Sequence, residues 1–176
     1  MNRSGTYVIK RETMYFNPKH DKHGYLYTHI VETDRVLKIA LSPTELIDQN
    51  LRYFGSSFKG ASQGSRAILG NVTMCPIVAN EKLDFYWFPT KSPTSPNCIW
   101  FALHHIDRHE SICKKKTKVF LSNGTTLDIE LSAYSFERKI QRAYKLKYKI
   151  EERTRLNSVF VNESNVLYDI YKQDVD

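Results

Sequence analysis

No run of about eighteen apolar residues occurs in this chain, so no membrane-spanning helix is expected. The opening MNRSGTYVIKRE lacks the apolar stretch an export signal needs, which makes a cytoplasmic location the expectation. Cysteine is scarce. Cys75, Cys98 and Cys113 form an odd set without a pairing pattern, and they read as free thiols of a reducing compartment. There is no CxxC pair, no GxSxG elbow, no kinase signature and no GxxxxGK[ST] phosphate loop. The carboxylates are scattered rather than paired, and no internal repeat is visible. These absences leave catalysis without positive support: the expectation is a protein that is not an enzyme and needs neither cofactor nor metal.

What is present points elsewhere. A chain of 176 residues, 41% hydrophobic and 12% aromatic, is enough for one domain with a single packed core. Its formal charge of +7 and isoelectric point near 9.2 favour a polyanionic partner, either nucleic acid or an anionic membrane surface.

The first forty residues are rich in β-formers. Tyr7–Ile9, Tyr25–Val31 and Val36–Leu41 read as strands, with Glu32–Arg35 as a hairpin turn. Ser42-Pro43-Thr44-Glu45 then starts a helix: Ser42 caps, Pro43 takes the first helical position, and Glu45 sits three residues after the cap. Leu46, Ile47, Leu51 and Phe54 share a face, and Gly55 ends the helix near 43–54. Residues 55–66 are small, polar and glycine-bearing, and read as a loop. Strands follow near Leu83–Phe88 and Cys98–Ile106, separated by a surface loop with three prolines, Pro89, Pro93 and Pro96. Asn123-Gly124, between two alternating runs over 119–131, predicts a hairpin with a type I′ turn. A long basic helix near 135–155, capped by Ser132 or Ser135, comes next, and the chain closes with an acidic tail over 156–176. The fold expected is α+β: a single domain, mostly antiparallel β-sheet, packed on these two helices.

Three places invite a chemical reading. The stretch LRYFGSSFKG at 51–60 resembles a phosphate cradle, but its spacing is not that of a phosphate loop and it follows a helix instead of preceding one. His105, His109 and Cys113 recur every four residues, beside His104. On a helix they would align three zinc ligands, yet the residues before them read as strand and no fourth ligand is evident. The long helix is the strongest of the three. Arg138, Arg142, Lys145 and Lys149 fall at i, i+4, i+7 and i+11, opposite Phe136, Ile140 and Ala143, with Tyr144 at the edge. No acidic residue lies between Arg138 and Lys149, whereas ordinary solvated faces intersperse them. Lys114, Lys115, Lys116 and Lys118 form a second basic cluster.

Three blocks carry a resemblance: LRYFGSSFKG at 51–60, FPTKSPTSPNCIWFALHH at 88–105, and VFLSNGTTLDIELSAYSFERKIQRAYKL at 119–146. In order and spacing they resemble the competence transcription factor (ComK) family of low-GC Gram-positive bacteria, across most of residues 35–150. The resemblance implies a transcriptional activator of DNA-uptake genes that works with RNA polymerase. It also implies oligomers, dimers assembling on paired AT-rich boxes, bound mainly through the minor groove. Control by an adaptor that delivers the protein to a Clp protease is implied as well. Residues 1–155 would form the DNA-binding domain. Phosphate or groove contacts fall to Arg138, Lys139, Arg142, Lys145 and Lys149 on the helix, and to Arg52, Lys59, Arg66, Ser56 and Ser57 around the glycine-bearing segment. Two other readings remain at this stage. One is a basic protein-interaction module without DNA binding; the other is a nucleic-acid enzyme, for which the required cluster of acidic metal ligands is missing.

Overall fold

The computed structural model describes residues 6–171, with side chains described through Asn157. Strands β1 (Thr13–His20), β2 (Leu26–Glu32) and β3 (Val36–Ile39) lead into helices α1 (Pro43–Tyr53) and α2 (Phe58–Leu69). Strands β4 (Ile77–Asn80), β5 (Phe85–Pro89) and β6 (Trp100–Ala102) follow. A three-residue turn of 3₁₀ helix then opens β7 (Ile106–Cys113), β8 (Lys116–Leu121), β9 (Thr126–Ile129) and helix α3 (Ala133–Tyr171). Six strands form one sheet in the order β3-β2-β1-β6-β5-β4; β7-β8-β9 form another, and every pairing is antiparallel. The architecture is the α+β one expected.

The large sheet is covered on both faces, which is why β5 and β6 read as unbroken apolar runs instead of alternating ones. Side chains of successive residues point to opposite faces. Phe16, Trp87 and Trp100 therefore pack with Leu46, Ile47 and Leu51 of α1, while Tyr86, Phe88 and Phe101 pack with Phe136, Ala143 and Leu146 of α3. The small sheet supplies Val119, Leu121 and Ile129 to this second layer. Both tryptophans thus lie in the α1 layer.

Helix α1 starts as its residues dictate. The Ser42 hydroxyl accepts the Glu45 N–H at 3.2 Å, and the Glu45 carboxylate accepts the Ser42 N–H at 2.7 Å. Gly55, at φ +86°, turns the chain after the helix.

Several expectations are corrected. Tyr7–Ile9 is not a strand; Ile9 instead donates its N–H to the Asn50 side chain at 2.7 Å. The first strand is β1, and β4 and β7 are further strands the pattern did not reveal. The loop expected over 55–66 is mostly helix α2, capped by Ser57, whose hydroxyl accepts the Gly60 N–H at 3.1 Å. The Asn123-Gly124 hairpin forms, but not through a type I′ turn: Gly124 alone of the pair has positive φ, at +83°. The Gly124 N–H meets Leu121 O and the Leu121 N–H meets Thr125 O, both at 2.9 Å. This is a three-residue loop with glycine at the bulge. The long helix begins at Ala133, after Ser132, whose hydroxyl accepts the Ser135 N–H at 3.2 Å. It runs to Tyr171, so no helix end marks position 155. Residues 172–176 of the acidic tail lie outside the described residues.

Candidate nucleic-acid interface

Helix α3 docks through Phe136, Ala143 and Leu146, all fully buried, and through Ile140. Lys147 fastens it to the β4–β5 turn by an ion pair with Asp84 at 2.7 Å. A helix seated on that face has to turn the opposite stripe outward. Arg138 and Lys145 are exposed and Arg142 is half-buried, and none of the three has an ion-pair partner among the described residues. Arg138 lies over the Tyr134 ring at 5.8 Å. Tyr134, Tyr144 and Tyr148 stand exposed beside the stripe; of this aromatic border only Tyr144 was marked from the sequence.

The two remaining cations behave differently. Lys149 pairs with Glu152 at 3.2 Å, so its charge is largely met within the helix. Lys139 is not on the outer stripe at all. It is 6% exposed, and its Nζ rests 3.7 Å from the Met74 sulfur. Burial pulls its ammonium below the ordinary lysine range, and the neighbouring Arg142 charge adds to the effect. The open ridge is therefore Arg138, Arg142 and Lys145.

The residues expected around 52–66 are spread out by α2. Ser57 is spent on the helix cap, and exposed Arg52 pairs with Asp48 at 2.8 Å. Asp48 also accepts the Phe58 N–H at 2.8 Å, and this hydrogen bond holds its carboxyl below the usual range against the opposing effect of burial. Ser56 and Lys59 are exposed at the start of α2 and Arg66 near its end. Lys59 and Arg66 are separated by about 10 Å along the helix axis. Ile68 and Leu69 pack into the α3 layer, so Arg66 approaches α3 while Arg52, Ser56 and Lys59 stay near α1.

His105 and His109 make contacts within the fold. His105 is buried, with Nδ1 2.6 Å from the Ser122 hydroxyl and Nε2 2.6 Å from Arg11 O, and burial lowers its pKa. His109 sits 3.2 Å from Glu137. With β7 a strand, residues four apart are about 13 Å from each other, too far to share an ion. Among the described residues no group of three His, Cys, Asp or Glu is placed to hold a metal, and no helix is long and apolar enough to cross a membrane.

Fold and surface together define an α+β domain whose ridge of Arg138, Arg142 and Lys145 has no ion-pair partner among the described residues. The family model for the ComK protein matches residues 4–155, and the chain belongs to that family. It is similar to the competence transcription factor of Bacillus subtilis (strain 168): 30% identity over 130 residues, 74% of this chain and 68% of that protein. No solved structure matches the chain.

Proposed function

We propose that this protein is a sequence-specific, duplex-DNA-binding activator of competence genes. It binds paired AT-rich boxes mainly through the minor groove, as dimers that assemble on the DNA. The observation that carries the reading is the open ridge of Arg138, Arg142 and Lys145 on a helix locked to the core, in a chain that belongs to the ComK family. Such a ridge suits the target. The minor groove over A·T pairs is narrow and strongly negative, and it draws in Arg and Lys. It offers only acceptors there, so cationic donors serve better than a coded set of side chains.

In this reading residues 1–155 are the DNA-binding domain and 156–176 an appended tail. RNA polymerase and a Clp-protease adaptor are partners, the membrane is not, and the protein works in the cytoplasm.

A mobility-shift assay on paired AT-rich boxes tests the proposal. The full chain is expected to shift the boxes in preference to scrambled duplex, and a minor-groove ligand is expected to displace it. Methylation in the major groove is expected to leave binding intact, because those groups lie on the other edge of the base pair. Binding that survives the minor-groove ligand and is abolished by methylation overturns the groove assignment. No shift on either duplex overturns the DNA reading and favours a protein-interaction module.

A further inference from the structure

We infer that the tip of the β7–β8 hairpin is a second DNA-contacting element, with Lys114 and Lys115 binding backbone phosphates beside the stretch held by α3. The inference rests on the duplex-DNA reading above and adds a contact made by sheet to one made by helix.

The tip is built against the ordinary rules of turns. Cys113 pairs with Lys116, which leaves Lys114 and Lys115 as the two turn residues. Two-residue hairpin turns favour glycine or asparagine with positive φ, because that twist matches the strands. Neither lysine has positive φ. The next hairpin of the same sheet, a three-residue loop, does use such residues: Asn123-Gly124, with glycine at φ +83°. Three adjacent lysines also repel one another. Among the described residues only Lys116 is answered, by Glu130 at 2.9 Å, and Lys114 and Lys115 have no ion-pair partner. The register also shifts by a bulge between Ser111 and Cys113, beside the turn, and departures from local turn chemistry are expected at functional or strained positions.

Protection of an exposed sheet edge is the plainest rival account of surface lysines. It explains charge along a strand, and β7 already carries Arg108 and Glu110 there. It does not explain charge at the turn, where no backbone ladder is left open.

Position completes the argument. Ile112 is 46% exposed at the same end, and Cys113 to Lys116 are exposed too, so the tip faces solvent. Lys114 and Lys115 line a shallow depression with Glu130, Leu131 and Ser132, the residues that lead into α3, and the Glu130 carboxylate there is engaged by Lys116. The tip therefore lies at the end of the helix where the ridge begins. Along the helix axis Arg138 is about 9 Å from Ser132 and Lys145 about 20 Å. At about 3.4 Å per base pair, a duplex following that line would present about six pairs between the tip and Lys145. Along the axis, tip and ridge are thus close enough to meet one stretch of duplex.

The test compares the full chain with K114A/K115A and with K114N/K115G on AT-rich duplex over a salt series. Each phosphate contact contributes about 0.9 to the salt slope, so both variants are expected to flatten it by about 1.8. Between 50 and 200 mM salt that is about a twelve-fold smaller loss of affinity than the wild type suffers. Preference for AT-rich over scrambled duplex is expected to persist, and hydroxyl-radical protection to shorten at one end of the footprint. K114N/K115G carries a better turn, so it is expected to resist urea more than the wild type while binding DNA less. Wild-type binding with unchanged slope and footprint in both variants overturns the tip contact and leaves the duplex reading standing. Failure of the wild type to bind duplex at all overturns that reading, and the tip contact with it.

Discussion

Lys139 shows how one residue departs from its neighbours. It lies about 100° around the helix from Arg138, and that quarter turn carries it off the outer stripe and against Met74. The spacing of Arg138, Arg142 and Lys145 was legible in the sequence because it depends only on helical period. The burial of Lys139 was not, because it depends on where α2 and the Met74 segment pack. A buried ammonium whose one hydrogen-bond partner among the described residues is a sulfur burdens the folded state. Its folded pKa is depressed below the unfolded value, so between the two the unfolded chain holds the extra proton. Stability therefore rises with pH through that window, and the burden is fully present below it. K139M is expected to raise stability at neutral pH by about 1–2 kcal/mol in urea titrations. It should also flatten the alkaline rise and leave DNA affinity unchanged. A fall in affinity with a flatter salt slope would return Lys139 to the DNA contacts.

Among the elements, those governed by local chemistry were legible and those governed by tertiary context were not. The capping box fixed the start of α1, and Asn123-Gly124 fixed a hairpin, though its turn type follows from the bulge. Strand β1 was hidden by Asn17-Pro18, since proline breaks a strand ladder. It is tolerated because β1 pairs with β6 only at Tyr15 and Phe16, so at Pro18 one side of the strand is free. Strand β7 was hidden because most of its residues are exposed, which erases alternation. Helix α2 was hidden by Gly60 and Gly64; its fully buried residues are the serines Ser62 and Ser65, and the apolar Phe58, Ala61, Ile68 and Leu69 beside them are only partly buried. The candidate site divides the same way: the ridge was read from α3 alone, whereas the set around 52–66 was read as one loop and is separated by α2. For the ridge, R142A/K145A is expected to weaken binding to specific and scrambled duplex alike. It should flatten the salt slope by about 1.8, with the fold intact because alanine is the better helix former. Unchanged affinity and slope in the folded variant would place the DNA elsewhere on the molecule.

For the whole molecule, the central sheet belongs to both packed layers. Strands β5 and β6 give Trp87 and Trp100 to the α1 side, and Tyr86, Phe88 and Phe101 to the α3 side. Neither layer can melt and leave its neighbour a finished surface to rest on. Denaturant unfolding is therefore expected to be a single transition, with far-UV circular dichroism and tryptophan emission coinciding. Separated midpoints would mean that one layer opens first.

Optically the molecule is one-sided. Trp87 and Trp100 are fully buried beneath α1 and α2, with Phe58 edge-on to Trp100 at 5.9 Å and Phe16 stacked on Trp87 at 4.8 Å. Their emission is shielded from aqueous quenchers and samples the layer remote from the ridge. The chromophores that border the ridge are Tyr134, Tyr144 and Tyr148. Light selected for indole thus watches the scaffold alone, whereas the phenols are divided between the core, as at Tyr15 and Tyr86, and the border of the ridge.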